Sequence, residues 1–192
     1  MKYISQLDYP HWLFVTRTDL EEEQRERGRT TTIRSSGCGI CSAVMVAHRL
    51  LPNCTFDLKE AIDLAYETKA NFEIGTNYLV YAPAFAEKLE LRLEMTNDLE
   101  RLRYCLRTGG AAVVNVGPGT FTQTGHYIVA INEEPDGRIA ILDPSVRAGK
   151  LDDEALKGKV EVINRIIVLC SGETLAADAA KRDPGYYLFW RA

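Results

Sequence analysis

A chain of 192 residues, 46% hydrophobic and 26% charged, has the length and make-up of one globular domain with a full core. Its formal net charge of -4 brings no basic excess, which argues against nucleic acid as a partner. No apolar run approaches the width of a bilayer, and Met1-Lys2-Tyr3-Ile4-Ser5-Gln6 lacks the apolar centre of a secretion signal, so a cytoplasmic protein without a membrane span is expected.

In chain order, residues 3–16 hold short apolar pieces around Pro10 and Trp12 and read as an extended arm. Thr18 to Arg29 is almost wholly charged; Thr18 and Glu21 suit a short exposed helix, and a solvated stretch is the simpler reading. Ser35-Ser36-Gly37-Cys38-Gly39 then leads into the successive apolar residues Val44 to Ala47, which predicts a buried helix starting at Cys38 and ended by Pro52. Asp57 and Glu60 form a capping box for a second helix, with Leu58, Ile62 and Ala65 on one face, to about Thr68. Gly75-Thr76-Asn77 reads as a turn, followed by a helix over about Pro83 to Leu89 with the proline in its first turn. Leu91, Leu93 and Met95 alternate as in a half-buried strand, and Asn97 with Glu100 caps a helix that runs to Arg107 and stops at Gly109-Gly110.

From Ala111 onward the pattern is that of strands: 111–116, 126–132, 138–143, 160–169 and 186–190, with a small helix near 175–181. Pro135-Asp136-Gly137 makes the tight connection of one hairpin. Helices come first and an antiparallel sheet second, so the class is α+β. The expectation is a single domain over 1–192, with an arm at 1–36, a helical part at 37–108 and a sheet part at 110–192.

Chemistry is centred on Cys38. At the first turn of a helix, unpaired N–H groups and the positive end of the dipole favour a thiolate, which lowers a cysteine's pKa and makes it nucleophilic. The Gly-Cys-Gly context clears side chains from around the sulfur. Three histidines compete for the role of base. His48 lies about three turns beyond Cys38 on the same helix, out of reach, and His11 sits in the arm with nothing to orient it. His126 opens a strand after a loop bearing Gly117, Gly119 and Gly125, at a sheet rim that a substrate can approach. The strand after it ends at Leu142-Asp143-Pro144, and antiparallel neighbours joined by a tight turn bring the start of one beside the end of the other. Cysteine, histidine and an orienting acid together make an activated nucleophile.

Gly37-Cys38-Gly39 opening an Ala/Met/Val-rich helix, Gly125-His126-Tyr127-Ile128-Val129 and Leu142-Asp143-Pro144 together resemble the papain-like cysteine peptidases of the group related to the double-glycine leader (bacteriocin-processing) peptidases. Gln6, in Ser5-Gln6-Leu7-Asp8, and Gly75-Thr76 also fit that pattern, so the resemblance covers residues 3 to about 145 in order. It implies a fold with the cysteine at the tip of a central helix packed on an antiparallel sheet that bears the histidine. It implies Cys38 as nucleophile, His126 as general base and acid, Asp143 as the residue orienting His126, and Gln6 as a donor to the oxyanion. A peptide or protein would be the substrate, with no cofactor. Two departures stand out: Ile40 occupies a position where the family often has proline, and Cys38 comes 32 positions after Gln6, a longer gap than the family pattern implies.

Two other readings stay open. Cys38-Gly-Ile-Cys41 is also a C-x-x-C motif, as in thiol–disulfide proteins, although that function calls for an early strand feeding the motif helix within a βαβ unit. A papain-like fold retained only for binding is the other. The five cysteines are odd in number and irregularly spaced, which argues against a disulfide framework. Cys54, Cys105 and Cys170 are isolated, so no zinc-ligand spacing is present and no metal is expected.

Overall fold

Helix α2 (Cys38–Leu50) is apolar on every side over Val44–Ala47, so it is stable only where neighbours surround it. They do: it is buried from Gly39 through Ala47, between one face of a large sheet and the helix that follows it. The computed structural model that shows this describes residues 2–15, 30–72, 75–164 and 166–192; the charged segment between Thr18 and Arg29 lies outside them.

The arm holds a 3₁₀ turn (Gln6–Asp8) and strand β1 (Leu13–Val15), which pairs antiparallel with β2 (Thr30–Thr32). A single-turn helix α1 (Ile33–Ser36) then abuts α2. Helix α3 (Leu58–Glu67) begins at the expected capping box: Asp57 Oδ1 accepts from the Glu60 N–H at 2.9 Å, and Glu60 Oε2 accepts from the Asp57 N–H at 3.1 Å. The segment read as a turn at Gly75 is instead β4 (Gly75–Thr76), paired with β3 (Asn71–Phe72).

Helix α4 spans Tyr78–Lys88 and starts five residues before Pro83. Tyr78, Tyr81, Ala82, Phe85 and Ala86 make one buried face at helical spacing, and burying that face outweighs the hydrogen bond lost at the proline, which sits on the exposed side. After β5 (Leu91–Thr96), helix α5 (Leu99–Arg107) is capped by Asp98 rather than by Asn97. Asn97 donates to Asp183 at 3.1 Å instead.

Strands β6 (Ala111–Val116), β7 (His126–Glu133), β8 (Ile139–Leu142), β9 (Val160–Val162), β10 (Ile167–Cys170) and β11 (Tyr186–Arg191) complete a sheet in the order β5-β11-β6-β7-β8-β10-β9. Every pairing in it is antiparallel. The run expected as one strand over 160–169 folds back on itself, with Val168 opposite Val162 and the reversal beginning at the exposed Ile163. Helix α6 (Gly172–Ala179) starts at its Ser171 cap, slightly earlier than expected.

Side-chain alternation gives the sheet two apolar faces. Val113, Val129, Leu142 and Phe189 pack with α2, α3 and α4, whereas Val114, Ile128, Ile141 and Leu188 pack with α5 and α6. The sheet is therefore covered on both sides. The expected division into a helical part and a sheet part dissolves, because β5 belongs to the sheet and α6 closes its second face. The class is mixed α+β with an open antiparallel sheet and, among the described residues, six helices.

Candidate active site

Gly37 closes α1, its N–H donating to the Ile33 carbonyl at 2.8 Å, and Cys38 follows as the first residue of α2. A Cβ on Gly39 would stand 2.9 Å from Thr76 Oγ1, so this glycine lets β4 and Tyr78 lie against the first turn of α2. The Tyr78 hydroxyl donates to the Gly39 carbonyl at 3.0 Å across that contact. Gly39 thus makes room for a neighbouring element rather than for the sulfur itself. Cys38 keeps partial exposure at this junction.

Val129 lies opposite Leu142 in the β7–β8 pair, which brings His126 and Asp143 to the same rim of the sheet. His126 Nε2 stands 2.7 Å from Asp143 Oδ1, with the imidazole 8% exposed and the carboxylate fully buried. Nε2 is engaged by Asp143, and by Ser145 Oγ at 3.1 Å, which leaves Nδ1 as the ring nitrogen available to Cys38. The Ser145 N–H donates to Asp143 Oδ1 at 2.8 Å, and Lys150 Nζ contacts both Asp143 Oδ2 and Ser145 Oγ.

Electrostatics follow from this packing. Burial pushes the Cys38 thiol up, but the hydrogen bond and charge of His126, with the N–H groups of Tyr127 and Gly39, bring it below its ordinary value. Burial pushes His126 down, and the hydrogen bonds to Asp143 and Cys38 more than reverse that, lifting it to about 9. Burial raises Asp143, while His126 and Lys150 hold it well below the usual carboxylate range. The row therefore alternates, a lowered cysteine, a raised histidine and a lowered carboxylate backed by Lys150, each group favouring the charged form of its neighbour. This alternation is what lets Asp143 remain ionised with no access to water.

Cys41, one turn further along α2, behaves oppositely: it is fully buried, and burial drives its thiol upward. No parallel βαβ unit occurs among the described pairings. His48 Nε2 lies 3.0 Å from the Phe56 carbonyl, and His11 is exposed.

Gln6 is buried and pinned rather than loose. Its N–H donates to the Pro144 carbonyl at 2.8 Å and its side-chain Nε2 donates to the Arg34 carbonyl at 2.7 Å, with Oε1 buried and unpaired. The Tyr3 hydroxyl donates to the Asp143 carbonyl at 2.7 Å, so the arm clasps the Asp143-Pro144 turn. Cys38, His126 and Asp143 are thus brought together, while Gln6 is fastened to the same turn and spends one amide hydrogen on Arg34.

A cleft of about 690 Å³ opens over Cys38 and His126, walled by Thr76 and Asn77 on one side and by Asn115, Gly125 and Arg182 on another. The 75–77 and 124–127 segments line it, whereas Trp12 is not among the lining residues and stands 44% exposed, edge-on to the Tyr9 ring at 5.1 Å. Ser145, Lys150 and Arg182 escaped the sequence reading. Ser145 alone carried a local signal, the turn an aspartate makes with the N–H two residues on. Among the described residues, no group of three or more His, Cys, Asp or Glu is placed to hold a metal ion, and no helix is long and apolar enough to cross a membrane. Compared with known proteins, the chain matches no family model, and a search of curated proteins gave no match.

Proposed function

We propose that this chain is a cysteine hydrolase of papain-like architecture that cleaves a peptide or amide bond through a thioester intermediate. The observation that carries the reading is the continuous row from Cys38, at the tip of α2, through His126 to Asp143, on the floor of an open cleft.

The Cys38 thiolate attacks the substrate carbonyl carbon, forming a C–S bond while the carbonyl π electrons move onto oxygen. The Cys38 N–H, free at the helix start, is one donor to that oxyanion, and the second amide hydrogen of Gln6 is the other. The His126 imidazolium gives its proton to the leaving nitrogen, the C–N bond breaks and the amine departs. Water then loses a proton to His126 and attacks the thioester, releasing the acid and restoring the thiolate. Asp143 holds the imidazole by Nε2 and stays ionised throughout.

The test is to mix the protein with a pool of random peptides, quench in acid within seconds, and weigh the fragment that contains Cys38. An acyl adduct on Cys38 that is absent from His126→Ala supports the reading. Peptide pools left intact, with no adduct on Cys38, contradict it.

A further inference from the structure

Arg182 lies between α6 and β11 and lines the cleft together with Cys38 and His126. Its neighbours are satisfied: Lys181 stands 3.6 Å from Asp178, and Asp183 accepts from Asn97 at 3.1 Å. Arg182 is not. Among the described residues no carboxylate lies within ion-pair distance of it; Nη2 donates to the Thr124 carbonyl at 2.8 Å, and Nε is buried with no partner. The guanidinium lies across Gly125, where a Cβ would stand 2.4 Å from Nη2, so the residue before His126 leaves space for it.

Across the same cleft, Thr76 Oγ1 is also buried and unpaired, and the Asn77 side chain makes no capping bond to α4. Arg182, Thr76 and Asn77 thus line one space beside the nucleophile, and Arg182 and Thr76 each keep a polar atom without a partner. Buried donors without partners are costly, and an arginine fork matches a carboxylate in both charge and shape. Arg182 is a guanidinium at the cleft with no carboxylate paired to it among the described residues.

We infer that Arg182, with Thr76 and Asn77, forms a carboxylate-binding subsite beside Cys38, so that the preferred substrates carry a carboxylate close to the bond that is cut. This inference rests on the hydrolase reading, and its tests separate the two.

The first arm compares alkylation of Cys38 by iodoacetate and by iodoacetamide, which differ in little but the carboxylate. The ratio of the two rates is expected to fall about fivefold or more in Arg182→Gln and to be largely kept in Arg182→Lys. If Arg182 only braces the Thr124 loop, both rates move together; an unchanged ratio overturns the subsite and leaves Cys38 as nucleophile. Alkylation of Cys38 by both reagents no faster than that of Cys54 overturns the hydrolase reading, and the subsite with it.

The second arm digests two peptide pools, one capped at both ends and one with free C-termini. Enrichment of Asp or Glu beside the cut in the capped pool identifies a side-chain carboxylate; cleavage confined to the free pool identifies a terminal one. Either preference, lost in Arg182→Gln, supports the subsite. No preference, or the same preference in the variant, overturns it.

Discussion

Strand β7 carries a paired charge at each end, and the two ends differ in what surrounds them. At its start, His126 meets Asp143; at its finish, Glu133, 11% exposed, meets Arg103, 14% exposed, whose guanidinium also donates to the Gly137 carbonyl at 3.0 Å. Arg107 adds a second guanidinium 3.4 Å from Glu133. Burial and ion pairing are common to both ends. At the His126 end the pair adjoins a titratable nucleophile, and both line the same open cleft. A buried pair is an architectural device until an unspent reactive group adjoins it.

The largest expected effect separates the two ends outright. Cys38→Ala and His126→Ala should each lower peptide turnover by about ten-thousandfold or more. Glu133→Gln should leave turnover within about threefold. A comparable loss at Glu133 would erase the distinction between the ends.

Next comes the support of the reacting row. Gln6→Ala should lower turnover by about a hundredfold to a thousandfold, the size found for one oxyanion donor, without slowing alkylation of Cys38, which develops no oxyanion. Parallel loss of both rates would mean that Gln6 only fastens the arm to Pro144.

Stability reverses the ranking. Arg103→Met leaves Glu133 without its closest partner and should cost about 3–5 kcal/mol in urea unfolding, less to the extent that Arg107 takes over. Turnover at a permissive temperature should hardly change. A variant as stable as the parent would show that this end contributes nothing to the fold.

The sequence was most informative where geometry is local. A cysteine after glycine at the head of an apolar helix, a histidine opening a strand, and an aspartate one tight hairpin away needed only short-range rules, and all three meet in one row. The Asp57–Glu60 capping box was legible for the same reason. Lys150 and Arg182 were not, because their meaning comes from the fold around them: Lys150 from the Asp143 carboxylate behind the imidazole, Arg182 from having no such partner among the described residues. Pro83 misled because a proline suits a helix start, and only the buried tyrosine face of α4 shows that the helix begins earlier. Alternation marked the strands, but it could not reveal that both faces of the sheet are covered.

The smallest effect concerns pH. Activity should be bell-shaped, with its basic limb near 9 where His126 loses its proton. Lys150→Met removes a positive charge from beside Asp143, which favours the imidazolium, so that limb should move upward. The same raised value means that the stability His126 contributes is present below its ordinary pKa and fades as pH rises through about 9. A limb that stays in place, or moves down, would show that Lys150 does not act on the row through Asp143.

The most direct test of the central claim is the pH dependence of iodoacetamide labelling, resolved for each of the five cysteines by mass spectrometry. Cys38 should label first and fastest, with a midpoint below that of an ordinary thiol. Cys41, Cys105 and Cys170, whose thiols burial drives upward, should remain unlabelled at neutral pH. Equal labelling of all five, or labelling led by Cys41, would contradict the account.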